Sequence, residues 1–381
     1  MLDPSNGCQL RCPGCVHSDN QAWSKEFDWP LGVIDGPGAI EFLDQFGVPA
    51  IATVLSNYGE PLLNKRLPEI VLAAKRLLMF TMLSTNLSVR FDCDALVESG
   101  IDYMTLSIDG TSQDSYERYR RRGQLDLVLD NIRALVEAKR RLGRDKPYLV
   151  WQFLTFQHNV HEVESAIETG RQLGVNEVLI ATPFSVDLDD PSIEVATDEP
   201  QRRIVLNPLN TFSQTDTDLA AVRSSADLIE SWFDKTWTQR YFEADGSAES
   251  SRSEQPTCHW LYHNLTMDAT KRLLPCCMAP SSDPTFRNVV FGNFSGSAQD
   301  AINTPMANLA RTAFRDRAEY EREIERSGAG GTPYCANCTE KPGSPFGFDL
   351  ESYVRGLDQC QALPPETYEA LARCSLSART G

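Results

Sequence analysis

The sequence predicts an α/β fold in which helices cover a parallel sheet, followed by a cysteine-rich extension. Three observations predict it. Strand-like and helical patterns alternate between residues 51 and 181, and such βα alternation argues for parallel pairing. Short polar segments recur directly after the apolar runs, where parallel α/β folds gather their functional residues. The 11 cysteines are clustered: three crowd the N-terminus, five lie between 258 and 338, and only Cys93 falls between the groups.

The elements follow in order. Ile51–Leu55 is a short apolar run ending in Ser56-Asn57-Tyr58-Gly59. Leu67–Leu78 has helical apolar spacing. Met79–Leu83 is strand-like and stops at Ser84-Thr85-Asn86. Asp94–Ser99 reads as a short helix. Tyr103–Ile108 is a strand stopped by Asp109-Gly110. Asp114–Leu142 carries the pattern of one long amphipathic helix. Leu149–Phe156 is a strand, His161–Leu173 a helix ended by Gly174, and Glu177–Ala181 a strand stopped by Pro183. Beyond Pro183 the alternation ends. Residues 185–200 are acidic, Asp218–Tyr241 has helical character, and residues 246–256 read as a linker. The expected organisation is a domain over 1–184, a connecting and substrate-access region over 185–257, a second cysteine domain over 258–345 and a helical tail over 346–381.

Composition excludes several function classes. The chain has 381 residues, enough for a sizeable core. No run of eighteen apolar residues exists, so no membrane helix is expected. The start, MLDPSNGC, has neither a basic nor an apolar signal region, and a cytoplasmic protein is expected. A net charge of −17 opposes phosphate backbones, so nucleic acid is not an expected partner. So many cysteines in such a chain point to metal or catalysis more than to disulfides.

Cys8, Cys12 and Cys15 offer three thiolates within one loop, and Pro13 and Gly14 allow a tight wrap. Soft thiolates suit iron–sulfur clusters or zinc. Three ligands leave a position open for an exogenous group and hence for chemistry. The alternative is a zinc knuckle completed by His17. Farther on, Cys258 and Cys276 lie 18 positions apart and Cys335-x2-Cys338 follows. Four thiolates in two pairs can close a site, either as structural zinc or as a fully ligated cluster.

The Cys8-x3-Cys12-x2-Cys15 loop resembles the hallmark of the radical S-adenosylmethionine (SAM) enzymes. Later segments match that family in order. Tyr58-Gly59-Glu60-Pro61 resembles its GGEP segment, with Tyr58 in place of the first glycine. Ser84-Thr85-Asn86 resembles its TNG-type segment. Ser107-Ile108-Asp109-Gly110, followed by Tyr116-Glu117-Arg118-Tyr119-Arg120, resembles its S-x-D-G…Y-E-x-x-R stretch. Gly14 stands where an aromatic residue often precedes the third cysteine. The resemblance covers roughly residues 1–184 and implies a partial (β/α)6 barrel.

It also implies that Cys8, Cys12 and Cys15 hold a [4Fe–4S] cluster carrying SAM. One electron from a flavodoxin- or ferredoxin-type reductant would cleave SAM to a 5′-deoxyadenosyl radical, which abstracts a hydrogen atom from substrate. Glu60 would accept from the SAM ammonium, Thr85 and Ser107 would meet ribose or carboxylate, and Arg120 would pair with the SAM carboxylate. Ser84 and Asn86 are either ligands or loop caps.

The later cysteines resemble the shortened SPASM, or twitch, extension of that family: a β-hairpin and helix whose Cys258, Cys276, Cys335 and Cys338 hold one auxiliary [4Fe–4S] cluster. Phe291-Gly292-Asn293 matches a segment between its halves. Two clusters are therefore expected, with structural zinc as the alternative at the second site. Cys277 is either a buried structural residue or a hydrogen-atom donor. His259 and His263 read as structural. Asp187, Asp189 and Asp190 are either solvated or available to substrate hydroxyls and amines. Twitch-type enzymes resemble sugar and aminocyclitol epimerases and dehydrogenases of antibiotic biosynthesis. The expected reaction is epimerisation at a carbinol carbon of a carbohydrate, with dehydrogenation as the alternative. A peptide-modifying role is less expected, because only seven residues precede Cys8.

Overall fold

The computed structural model describes residues 1–19, 31–46, 50, 52–77, 79–183, 188, 190–207, 261, 264–276, 290–327 and 335. The chain divides into two compact units: residues 1–211 with 267–271, and residues 212–266 with 272–381.

The first unit is built on a six-stranded sheet in the order β1 to β6: β1 (Ala52–Val54), β2 (Phe80–Thr85), β3 (Tyr103–Ser107), β4 (Tyr148–Leu154), β5 (Glu177–Ala181) and β6 (Arg202–Val205). The first five strands are parallel; β6 returns antiparallel to β5. The five strands expected from the sequence are the parallel ones, and β6 is an addition to them. Sequential order has no reversal point. Crossovers of one hand therefore leave all the helices on one face, which is the topology of a partial barrel.

The register sets the strand ends side by side. Val54 pairs with Met82, Thr85 with Leu106, Ser107 with Gln152, and Leu154 with Ala181. The polar segments after β1, β2 and β3 thus share one rim.

The helices are α1 (Gly36–Phe46), α2 (Leu67–Arg76), α3 (Cys93–Glu98), α4 (Gln113–Tyr119), α5 (Leu125–Leu142) and α6 (Val163–Leu173). In α2, Leu67, Ile70, Val71 and Ala74 bury one stripe, and Pro68 opens the first turn. The Asp92 carboxylate caps α3, and the Ser112 hydroxyl caps α4. Gly143 and Gly174, both left-handed, end α5 and α6.

Two expectations change. The single helix over Asp114–Leu142 is broken between Tyr119 and Leu125. Arg122 takes φ 68°, and a Cβ on Gly123 would lie 2.5 Å from Tyr116 Cε1, so only glycine fits the bend. The His161–Leu173 helix starts as a 3₁₀ turn, Val160–Glu162, before α6.

Far from the rim, at the start of β3, buried Asp102 joins three elements. Lys75 Nζ lies 2.5 Å from Oδ2, Lys146 reaches Oδ1, and the Thr81 amide donates to Oδ2 at 2.9 Å. Burial pushes its pKa up, but the two lysines outweigh that and hold it below the usual range. Asp102→Ala is expected to lose about 3 kcal/mol, because two half-buried ammonium groups and an amide lose their partner. Urea denaturation checks this, and a loss below about 1 kcal/mol would contradict it.

In the later part of the chain, β7 (Thr266–Met267), β8 (Arg272–Leu274) and β9 (Gly292–Asn293) form a three-stranded sheet. The expected hairpin is therefore present, and Lys271 takes φ 66° in its turn. Three helices follow, α7 (Ala298–Ile302), α8 (Pro305–Arg315) and α9 (Arg317–Ser327). Leu309 and Tyr320 join α8 to α9. The 218–241 helix and the 346–381 tail lie outside the described residues. Among the described residues no helix is long and apolar enough to cross a membrane.

Candidate functional site

The cysteine loop is wound by its own backbone. The Cys15 amide donates to Cys12 O at 3.1 Å, and the Ser18 amide to Cys15 O at 2.9 Å. Gly14 takes φ 76°, a conformation that strains residues with a Cβ, so the glycine between the second and third cysteines is a backbone requirement. Arg11 Nη1 clamps the carbonyls of Cys8 and Leu10 at 2.7 and 2.6 Å.

All three cysteines enter one apolar cluster with Leu10, Tyr119, Phe156 and Ile193. Two polar groups reach the sulfurs: Asn86 Nδ2 lies 3.5 Å from Cys8 Sγ, and Arg120 Nη1 lies 3.9 Å from Cys12 Sγ. Burial raises all three thiol pKa values, that of Cys12 to about 11 despite the neighbouring guanidinium. Three thiolates in such surroundings need a positive partner larger than one arginine.

An iron–sulfur cluster fits that donor set. Among the described residues no three His, Cys, Asp or Glu side chains converge as ligands of a single ion do. Thiolates on separate irons of a cluster need no such convergence. His17, the fourth ligand of the zinc alternative, has Nε2 3.0 Å from Tyr58 O and donates there.

The rim segments converge on this loop. Glu60 is buried and takes three donors: Thr85 Oγ1 at 2.6 Å and the Leu62 amide at 3.0 Å on Oε1, and the Asn86 amide at 2.8 Å on Oε2. Burial raises its pKa in spite of them. Pro61 opens a 3₁₀ turn, Pro61–Leu63, that Glu60 caps. Gly59 presses on the N-terminal segment so closely that a Cβ would fall 1.7 Å from Ser5 O.

Several of the expected ligands have protein partners. The Thr85 hydroxyl donates to Glu60 and accepts from the Leu87 amide at 3.0 Å. Asn86 caps its own loop, taking the Ser88 amide at 2.8 Å and Gln9 Nε2 at 2.7 Å on Oδ1. Ser84 and Ser107 hydroxyls lie 3.1 Å apart on neighbouring strands.

Asp109 and Arg120 pair with each other: Arg120 Nε is 2.5 Å from Oδ2, and the Leu154 amide donates to Oδ1 at 2.7 Å. The helix break makes this possible, because it frees Arg120 to turn under α4. Arg120, expected to pair with a ligand carboxylate, has its Nε on Asp109 and its Nη1 directed at Cys12. Asp190 pairs with Arg121; Asp187 and Asp189 lie outside the described residues.

Gln9, Arg11, Ser56 and Asp3 were missed. Gln9 and Arg11 sit inside the cysteine loop, which was the available signal. Ser56 Oγ accepts the Ser84 amide at 3.0 Å, a contact across 28 residues that no local pattern announces.

At the second cysteine group, Cys276 is half-buried and Cys335 buried, and neither is in a disulfide. Cys258, Cys277 and Cys338, with His259 and His263, lie outside the described residues.

The fold and the thiol loop define a domain that can hold a cluster at the rim of its sheet. Residues 2–169 match the model of the radical SAM superfamily. Fe-coproporphyrin III synthase of Methanosarcina barkeri is 32% identical over 138 residues, covering 36% of this chain and 33% of that protein. GTP 3′,8-cyclase of Chlorobaculum tepidum is 32% identical over 127 residues, covering 32% of this chain and 36% of that protein. The chain thus spans about a third of the length of these relatives. Among solved structures, SuiB of Streptococcus suis bound to S-adenosylmethionine has TM-score 0.52 at 12% identity. The match covers 82% of this chain and 67% of SuiB, a likeness of fold.

Proposed function

We propose that this protein is a radical SAM enzyme acting on a carbinol C–H bond of a carbohydrate, most directly an epimerase of secondary metabolism. The observation that carries the enzyme reading is the gathering of Cys8, Cys12 and Cys15 in one apolar cluster beside Asn86 and Arg120. A cluster with bound SAM would supply a 5′-deoxyadenosyl radical as the hydrogen-abstracting species.

The protein's own residues do the rest. The three cysteines hold the iron. Arg120, anchored by Asp109, directs positive charge at Cys12. Glu60 locks the rim segments after β1 and β2 to each other. Tyr119 and Phe156, with ring centroids 4.4 Å apart, pack in the apolar cluster that buries Cys12.

The carbohydrate reading rests on the spacing of Cys258, Cys276, Cys335 and Cys338, which resembles twitch extensions, with Cys277 as donor of the returning hydrogen atom. The relatives named above concern, by their names, coproporphyrin and GTP. An external flavodoxin- or ferredoxin-type protein would supply the electron.

Anaerobic reconstitution is the first test. About eight irons per chain with little zinc support two four-iron clusters, whereas about four irons with one zinc make the second site structural. Turnover of candidate sugars in deuterium oxide is the second. An epimerase inserts one solvent-derived deuteron without redox change, and a product lighter by two mass units would identify a dehydrogenase. Absence of 5′-deoxyadenosine with every substrate class, under a strong reductant, would overturn the enzyme reading.

A further inference from the structure

Asp3 lies five residues before the first cysteine and is fully buried. Its Oδ2 accepts the Tyr58 amide at 3.0 Å and the Gly59 amide at 3.4 Å. The next amide, that of Glu60, donates to Gly7 O at 2.8 Å. Three successive donors of the 58–61 loop are therefore taken by the N-terminal segment. A loop whose donors are taken faces a ligand with acceptors, which suits a bound ammonium group.

The other oxygen, Oδ1, is buried with no hydrogen-bond partner among the described residues. Asp268, also buried, adds a second negative charge nearby, and burial raises the Asp3 pKa to about 7. A residue kept for stability alone is poorly served by a stranded buried oxygen beside another acid. The placement is better explained by what Oδ2 holds.

We propose that Asp3 is a positioning residue for the SAM-binding loop: by drawing the Tyr58 and Gly59 amides to its carboxyl group, it orients residues 58–61 toward the amino group of the cofactor. This role rests on the functional reading above. Asp3 acts through the loop it holds.

The test compares reconstituted wild type, Asp3→Ala and Asp3→Asn. Asparagine keeps an acceptor for both amides; alanine keeps none. Three quantities are measured: iron per chain, the SAM dissociation constant by anaerobic titration, and hydrogen exchange at the Tyr58 and Gly59 amides. Asp3→Ala is expected to keep its iron, to speed exchange at those two amides and to weaken SAM binding about tenfold. Asp3→Asn is expected to restore both to within about threefold.

If Asp3→Ala binds SAM and protects the two amides as wild type does, the positioning role is wrong. If exchange rises at those amides while SAM affinity is unchanged, the residue is structural only, and the proposal again falls. Should the alanine variant fail to take up iron, Asp3→Ser, whose short hydroxyl cannot span both amides, replaces it under the same outcomes. A wild-type protein that holds iron but does not bind SAM would overturn the functional reading, and this role with it.

Discussion

On the proposed two-cluster reading, Cys12→Ala is expected to remove about half of the iron that the reconstituted protein carries, from about eight to about four per chain, and to abolish 5′-deoxyadenosine formation. Cys12 is the thiol to test because it is the most enclosed of the three. It is buried among Leu10, Tyr119 and Phe156 and has the Arg120 guanidinium beside its sulfur. Truncation there removes a soft ligand that no neighbouring side chain can replace. On the same reading the remaining iron sits at the second cysteine group, so electron paramagnetic resonance of the reduced variant should keep one signal and lose the SAM-responsive one. Full iron content with intact SAM cleavage would rule out Cys12 as a ligand. Urea denaturation of the iron-free variant should match the iron-free wild type within about 1 kcal/mol, since the change is small and apolar.

Asp109→Ala should be among the most destabilising single changes, at about 3–5 kcal/mol. The carboxylate is wholly buried, and its partner Arg120 is only 14% exposed. Removing it strands a guanidinium in an apolar cluster and leaves the Leu154 amide without its acceptor. Burial raises the Asp109 pKa, with Arg120 pulling it down, so the pair exists only because both charges are present. A double variant, Asp109→Ala with Arg120→Leu, should recover part of the loss, because no charge is then left unpaired. Chemical denaturation of the four proteins closes the cycle. A single-variant loss under 1 kcal/mol, or a double variant worse than the sum, would show that the pair is not what holds α4 against β3 and β4.

Much of the fold was legible because buried parallel strands and amphipathic helices write different periods. β3 and β5 lie within a residue of their expected limits, and α6 ends at its expected last residue, Leu173. The break after Tyr119 was not legible from periodicity, because the apolar residues of α5 continue the stripe of α4; only Gly123 signalled it. β6 has an exposed face and no alternating apolar pattern. The helix α1 was hidden behind Asp35-Gly36-Pro37-Gly38, which reads as a turn but in which Asp35 Oδ1 accepts the Gly38 amide at 2.7 Å.

The site was legible in the same uneven way. Cysteine spacing announces ligands, since metal chemistry dictates it. The partners of Glu60 and Asp109 are set by strand register, 25 and 45 residues away in the chain, and no local motif carries that information. Asp3 was invisible because a single acid near a chain start resembles any solvated charge.

The N-terminal segment has two flanks that become available at different times during synthesis. One is β1: the Leu2 amide donates to Val54 O at 2.9 Å. The other is the β7–β8 turn: the Asp3 amide donates to Met267 O, and the Ala269 amide to Asn6 Oδ1 across 263 residues of sequence. A ribosome that has passed residue 54 has made half of the seat for the strand leading to Cys8. The second half emerges only after the whole parallel sheet. Contacts of such high sequence separation form late, since the loop they close must be ordered first. The strand leading to the thiol loop is therefore fully seated only once residue 269 has been made, after the whole parallel sheet.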